Sequence, residues 1–355
     1  MDRKVRFGER ARRSGKTIGV NVVMKKPLIK PSPKVNIVIS KNPQKFENTT
    51  GHGTFVEHPN NDDKNAKWVK EQIRKRCADY KNREIYPISI ATGNRVCDIM
   101  CEAFAIGFGG RVITPKKWLR LKNSGLKLDN IMAYGILRGV GPIIKQVPNY
   151  FYVDHGYFNS SKYKKQTFSG YYRVCHNSMW HNGSGNYPSD RFDNLNVKMK
   201  KWRKNGNQIV IIPPNEPMAK HLGIANWLDH IILKLRKYTD RQLVISRKSN
   251  LPTTNPPLMS KYEQDIEKLP LNLAMNNAWA VVTDHSNAAI GSIINGIPAV
   301  ITNPQRRLGS IKNIENPTMN RDFLKNLAYQ QWTIEEIISG QAKEHFPMIS
   351  IAQQQ

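Results

Sequence analysis

Long apolar runs are missing from this 355-residue chain. Nowhere do roughly 18 apolar residues follow one another, so no membrane-spanning helix is expected. The first residues carry charge with no apolar stretch behind them, and no export signal is read there. Cysteine is scarce: Cys77, Cys97, Cys101 and Cys175 are the only four, and no two form a Cys-x-x-Cys pair. That speaks against a disulfide framework and suits a reducing cytoplasm. Cys175–His176 with His181 lacks the second cysteine pair that a zinc site needs, so no metal site is assigned. Acidic residues are scarce as well, 27 Asp+Glu against 55 Lys+Arg, for a formal charge of +28. A basic excess spread along a whole chain attracts and steers polyanions. Nucleic acid is the first candidate partner, and an acidic membrane or polysaccharide surface the second.

The length allows two domains of roughly 150 residues each. Residues 1–34 form a basic arm: Arg3, Lys4, Arg6, Arg10, Arg12, Arg13 and Lys16, then four lysines among prolines. With little apolar periodicity, it can bury little and is expected to contact phosphates non-specifically. Folded structure is expected from the apolar run at Val35–Ile39, with a helix over Lys67–Tyr80. Short strands at Tyr86–Ile90, Val112–Thr114, Asn130–Tyr134 and Tyr150–Val153 alternate with helices, which argues for a parallel sheet in a first domain over 35–195. A polar, Lys- and Gly-rich connection follows. A second domain, 205–355, restarts at Gln208–Ile212 and continues through a helix at Asn226–Tyr238 and a strand at Leu243–Ile245. Phe323–Tyr329 and Ile334–Ile338 are expected as terminal helices.

The most informative stretch is 279–304. Ala280–Thr283 reads as a buried strand, Asp284–His285–Ser286 as a polar corner, and Asn287–Asn295 as a helix with Gly296 at its C-terminal end. Pro298 forbids continuation, and Ala299–Ile301 starts another strand. The polar corner thus lies at a strand's carboxyl end, where open α/β sheets place ligands. Ser286, Gly296 and Pro298 form a Ser-x(9)-Gly-x-Pro segment that resembles the second domain of GT-B glycosyltransferases. The resemblance implies an α/β protein of two Rossmann-like domains facing a cleft. A nucleotide-sugar would be the co-substrate, with no permanently bound cofactor and a divalent metal left open. Its diphosphate would lie near Ser286 and Asn287, with His285 beside it. Arg247 and Lys248, past the end of the neighbouring strand, would complete a diphosphate clamp. The acidic residue that the family has five places after this serine is replaced by Gly291, and Glu315 is the substitute for the donor ribose.

An inverting transfer needs a base for the attacking hydroxyl. His155, with Asp154 to act or to orient it, follows a strand in the first domain and is the first candidate. Asp284–His285 is the second pair. For the acceptor, Tyr171, Arg173, Asn177 and Trp180 interleave rings with polar and basic groups that suit an exposed base, and Arg138 sits in a glycine-spaced turn pointing to the same cleft. The charge adds a resemblance in kind to phage enzymes that glycosylate hydroxymethylated DNA bases, acting in the host cytoplasm. Two alternatives stay open: transfer to a polysaccharide or other glycan, and a non-enzymatic nucleic-acid-binding protein on the same scaffold.

Overall fold

The computed structural model describes residues 87–160, 168, 170–247 and 260–346. The basic arm, the strand at 35–39, the helix at 67–80 and Lys248 lie outside the described residues.

In the first half, β1 (Ile88–Ile90) leads into α1 (Arg95–Phe108), and β2 (Arg111–Ile113) into α2 (Pro115–Asn123). Then come β3 (Asn130–Tyr134), the short α3 (Val140–Ile144), β4 (Asn149–His155) and β5 (Tyr171–His176). The Asn94 side chain accepts from the Cys97 N–H and starts α1, while Thr114 does the same for α2 through Lys117. After α4 (Asp190–Asn194) the second half runs β6 (Gln208–Ile212), α5 (Glu216–Leu222), α6 (Trp227–Leu235), β7 (Gln242–Ile245) and β8 (Glu267–Lys268). It continues with α7 (Leu271–Asn276), β9 (Ala278–Thr283), α8 (Ala288–Ile294), β10 (Ala299–Ile301) and α9 (Phe323–Ala328). The last elements are β11 (Gln331–Thr333), α10 (Ile334–Ile338) and α11 (Gln341–Glu344).

These strands form two sheets. The second, in the order β10-β9-β6-β7-β8, is parallel throughout. Its inner strands are near-continuous apolar runs because helices cover both faces: α8 and α9 on one side, α6 on the other. The first has the order β11-β5-β4-β3-β1-β2. It is parallel from β2 to β4, while β5 runs antiparallel to β4 and β11 antiparallel to β5. Two features differ from the sequence expectation. The stretch 171–176, read as a surface for an acceptor, is an internal strand, and residues 331–333 return to the first sheet instead of staying with the second. A hydrophobic helix pattern flags neither, because both are short and their partners are remote in sequence.

Strand order locates the ligand edge. In the second sheet the chain moves one way from β6 to β7 and β8, and the other way to β9 and β10, so the order reverses between β6 and β9. Their carboxyl ends are tied by Thr283 Oγ1 donating to the Ile212 carbonyl at 2.7 Å. Asp284 therefore begins at a topological switch point, where the splayed connections leave room for a ligand. The motif glycine has a structural duty. Gly296 holds φ at 78°, and a β-carbon there would lie 2.0 Å from the Lys201 carbonyl oxygen. Its N–H and that of Ile297 close the end of α8 on Ile293 and Ser292.

Candidate functional site

The carboxyl edges of the two sheets meet at a buried polar cluster. From the second sheet come the corner after β9 and the turn after β10. From the first come the end of β4, the middle of β5 and residues 178–181.

At the centre, His285 Nδ1 lies 2.8 Å from Asp284 Oδ2. Asp284 is 3 % exposed. It also accepts from Asn303 Nδ2 at 2.9 Å and from Thr302 Oγ1 at 3.3 Å. Trp227 Nε1 donates to the same Thr302 hydroxyl at 2.8 Å, leaving that hydroxyl's proton for Asp284. An ionised carboxylate only accepts, so Nδ1 of His285 carries a proton toward it, and in the neutral ring the lone pair falls on Nε2. The imidazole packs against Trp180 of the first half, with ring centroids 4.7 Å apart and the planes tilted by 31°.

Arg306 follows Pro304–Gln305 in the turn after β10. It is 3 % exposed. Nη1 donates to the His285 carbonyl at 3.0 Å and to Asn287 Oδ1 at 2.9 Å, and Asn287 Nδ2 donates onward to the Gly156 carbonyl at 3.2 Å. The guanidinium lies over the Tyr157 ring, 4.9 Å from its centroid. Among the described residues Nη2 has no hydrogen-bond partner and no carboxylate pairs with Arg306. Burial, opposed by Tyr157 and aided by the Arg173 charge, lowers its guanidinium to about 10. No periodicity or motif marks Arg306. Only its place at the same carboxyl edge as Asp284 points to it.

Arg173, on β5, is differently placed. It pairs with Asp154 at 2.9 Å, donates to the carbonyls of His155 and Met179, and is 5 % exposed. Burial raises the Asp154 carboxyl, but Arg173 and His155 outweigh it and hold it below the usual carboxylate range. Asp154 accepts from the backbone N–H of His155 at 2.8 Å and from Tyr152 Oη at 3.0 Å. Its contact with His155 thus runs through the backbone, and the His155 ring stands edge-on to Tyr134.

Other expected site residues fall as follows. Ser286 Oγ accepts from the Ala288 N–H at 3.2 Å beside the His285 corner. Arg247 lies past the end of β7 as its spacing implies, but it makes an ion pair with the buried carboxylate of Glu263, so its charge is met inside the protein. Glu315 lies apart from the corner. It accepts from Thr239 and pairs with Arg241 at 2.9 Å, at the amino-terminal edge of the second sheet, while Ser286 occupies the opposite edge. Arg173 and Trp180, expected at the acceptor, are both interior, beside the Tyr152 and Tyr157 rings and the His285 ring respectively. Tyr171 is half-buried, and Asn177 binds the backbone N–H of Tyr150 at 2.8 Å. Arg138 is exposed in a left-handed turn with φ of 55°. Among the described residues no three His, Cys, Asp or Glu side chains converge to hold a metal ion, and no helix is long and apolar enough to cross a membrane.

His181 closes the cluster. Its Nδ1 lies 3.0 Å from Tyr157 Oη, which in turn accepts from the His181 N–H at 2.9 Å. Burial first, and then the Arg173 charge, lowers its imidazole to about 3 from an ordinary 6.5. The unfolded chain therefore takes up a proton below about pH 6.5 that the folded one refuses. Stability should fall with pH across that window by up to about 1.4 kcal/mol per unit. Melting temperatures of the parent and His181→Gln between pH 7 and 4.5 check this. The parent should show the steeper decline, and parallel curves would refute the assignment.

No protein-family model matches the chain, and no curated protein sequence does. Among solved structures it is similar to KpsC of Thermosulfurimonas dismutans, a beta Kdo 2,7 transferase. That likeness has 8 % identity and a TM-score of 0.41, and covers 73 % of this chain and 99 % of that one. A likeness at that level bears on neither mechanism nor substrate. What the fold itself defines is an α/β protein with two sheets, one wholly and one mainly parallel, whose carboxyl edges share a buried polar cluster.

Proposed function

We propose that the protein is a glycosyltransferase that takes its sugar from a nucleotide-sugar. One observation carries this: Arg306, a buried guanidinium with no carboxylate partner among the described residues, stands beside an oriented Asp284–His285 pair at a switch point. Burying an unpaired charge is costly, and an anionic ligand supplies the missing counter-charge. The phosphate of a nucleotide-sugar is such an anion, and its charge grows as the sugar departs. His285 is the base in this assignment because Asp284 fixes its proton on Nδ1 and leaves Nε2 to receive one. Asp154, engaged by Arg173, supports the position of β5 against β4 instead. Ser286 and Asn287 border the same corner, and Arg247 and Lys248 follow the neighbouring strand.

For the acceptor we propose a polyanion, on the strength of the +28 charge. Hydroxymethylated DNA comes first and an acidic glycan second. The test is a panel of nucleotide-sugars incubated with the full chain, with water, hydroxymethylated DNA or an acidic polysaccharide as acceptor. Nucleotide release and acceptor mass are followed. One donor should be hydrolysed slowly alone and faster with its acceptor, which gains the mass of one sugar. If no donor binds and none is consumed, the assignment fails. Sugar gained by the polysaccharide alone would replace DNA as acceptor.

A further inference from the structure

Away from this cluster, α2 and the turn after it combine exposed leucines with exposed cations. Trp118 is its one buried side chain. Leu119 and Leu126 are each 51 % exposed. Leu126 is held in place, since the end of the helix closes through Leu126 N–H to the Leu121 carbonyl at 3.2 Å and Gly125 N–H to Lys122 at 3.0 Å. Next to the leucines in sequence, Lys116, Lys117, Arg120 and Lys127 are exposed, and none is in an ion pair among the described residues. From Arg111 to Leu128 the sequence has no acidic residue.

A surface meant only for solvent or for a nucleic-acid backbone gains nothing from two half-exposed leucines. A surface of cations alone would serve either. Lysines and arginines bracketing outward leucines suit a bilayer interface, where the cations meet lipid phosphates and the leucines enter the acyl boundary. We propose that α2 and the turn after it dock this protein on an anionic lipid membrane, lying along its surface. The proposal is independent of the chemistry assigned to the polar cluster.

The test is flotation of the full chain with vesicles of phosphatidylcholine alone, or with one-third phosphatidylserine. The parent is compared with Leu119→Ser/Leu126→Ser and with Lys116→Gln/Lys117→Gln/Arg120→Gln. All three keep residues 1–34, so the basic arm contributes equally to each. Melting temperature checks that the variants fold. The parent should bind the anionic vesicles and bind phosphatidylcholine far more weakly. The leucine variant should lose about tenfold in partitioning, and the charge variant roughly a hundredfold. The leucine variant should bind duplex DNA as the parent does. The proposal is overturned if the parent ignores anionic vesicles. It is also overturned if the leucine variant partitions like the parent, because the patch then acts through charge alone, as a nucleic-acid contact would.

Discussion

His285→Ala is expected to lower donor turnover by about two to four orders of magnitude, the usual worth of a positioned acid or base. Asp284→Asn should come close to it, since an amide in that place can offer Nδ1 an N–H and turn the imidazole to the wrong tautomer. Neither change should abolish donor binding, because Arg306 keeps its contact with the His285 carbonyl, a backbone group that both variants retain. Arg306→Met should do the reverse. Donor affinity should drop sharply, while the lost hydrogen bonds to the His285 carbonyl and Asn287 are offset by removal of a charge buried at a cost, so the melting temperature should change little. Steady-state kinetics beside calorimetric donor binding separates the two patterns. Full turnover in His285→Ala at every pH would remove this histidine from the reaction, and His155 would then be tried. Unchanged donor binding in Arg306→Met would remove the phosphate assignment.

The second large effect is on stability. Arg173 sits inside the first sheet, and Asp154, the carbonyls of His155 and Met179 and two tyrosine rings gather around it. Arg173→Met strips a buried carboxylate of its partner and leaves two carbonyls unmet. The expected loss is about 3–5 kcal/mol. Asp154→Asn keeps part of the hydrogen bonding and should cost less. The pH dependence follows from the depressed Asp154 carboxyl. Its contribution is complete above the ordinary carboxylate range near 3.9 and disappears as the pH falls through its lower folded value. The parent should therefore lose this increment only in strong acid, and Arg173→Met should already lack it at neutral pH. Urea midpoints at pH 7 and pH 3 measure both. A loss under 1 kcal/mol at pH 7 would mean that water replaces the guanidinium without difficulty.

How much of this was legible beforehand depends on how local the cause is. The strands β6, β7, β9 and β10 are apolar runs bounded by turn residues, and the sequence predicts each within a residue or two. The corner at Asp284–His285 follows from the same local pattern. β5 was hidden because an arginine stands in its middle, and arginine is tolerated there only through Asp154, supplied by β4. β11 has three residues, and the partner that makes it a strand lies over 150 positions earlier in the chain. Arg306 reads as one more cation in a basic chain. Its significance lies in being buried and unpaired, which is a property of tertiary packing alone. Glu315 shows the converse: an acidic residue at a plausible distance in sequence falls on the far edge of its sheet. Sequence spacing along a βα unit does not say which edge a loop occupies until its crossovers are counted.

The return of residues 331–333 to the first sheet sets an order of events during synthesis. β5 is made well before the whole second sheet, yet the strand that covers its edge emerges after it. Until then Tyr171, Tyr172 and Arg173 present an open strand edge, and the backbone N–H groups of Tyr157 and Phe158 lack the Gln331 side chain that later receives both. Arg191 must wait as well, since it grips Glu336 and the Gln331 carbonyl. Closing so long a loop is slow compared with local helix formation. The second sheet can thus fold as it leaves the ribosome, while the first, although begun earlier, is the last to be sealed. A nascent chain stalled before residue 331 would carry this edge uncovered, and a holding chaperone would find a target there.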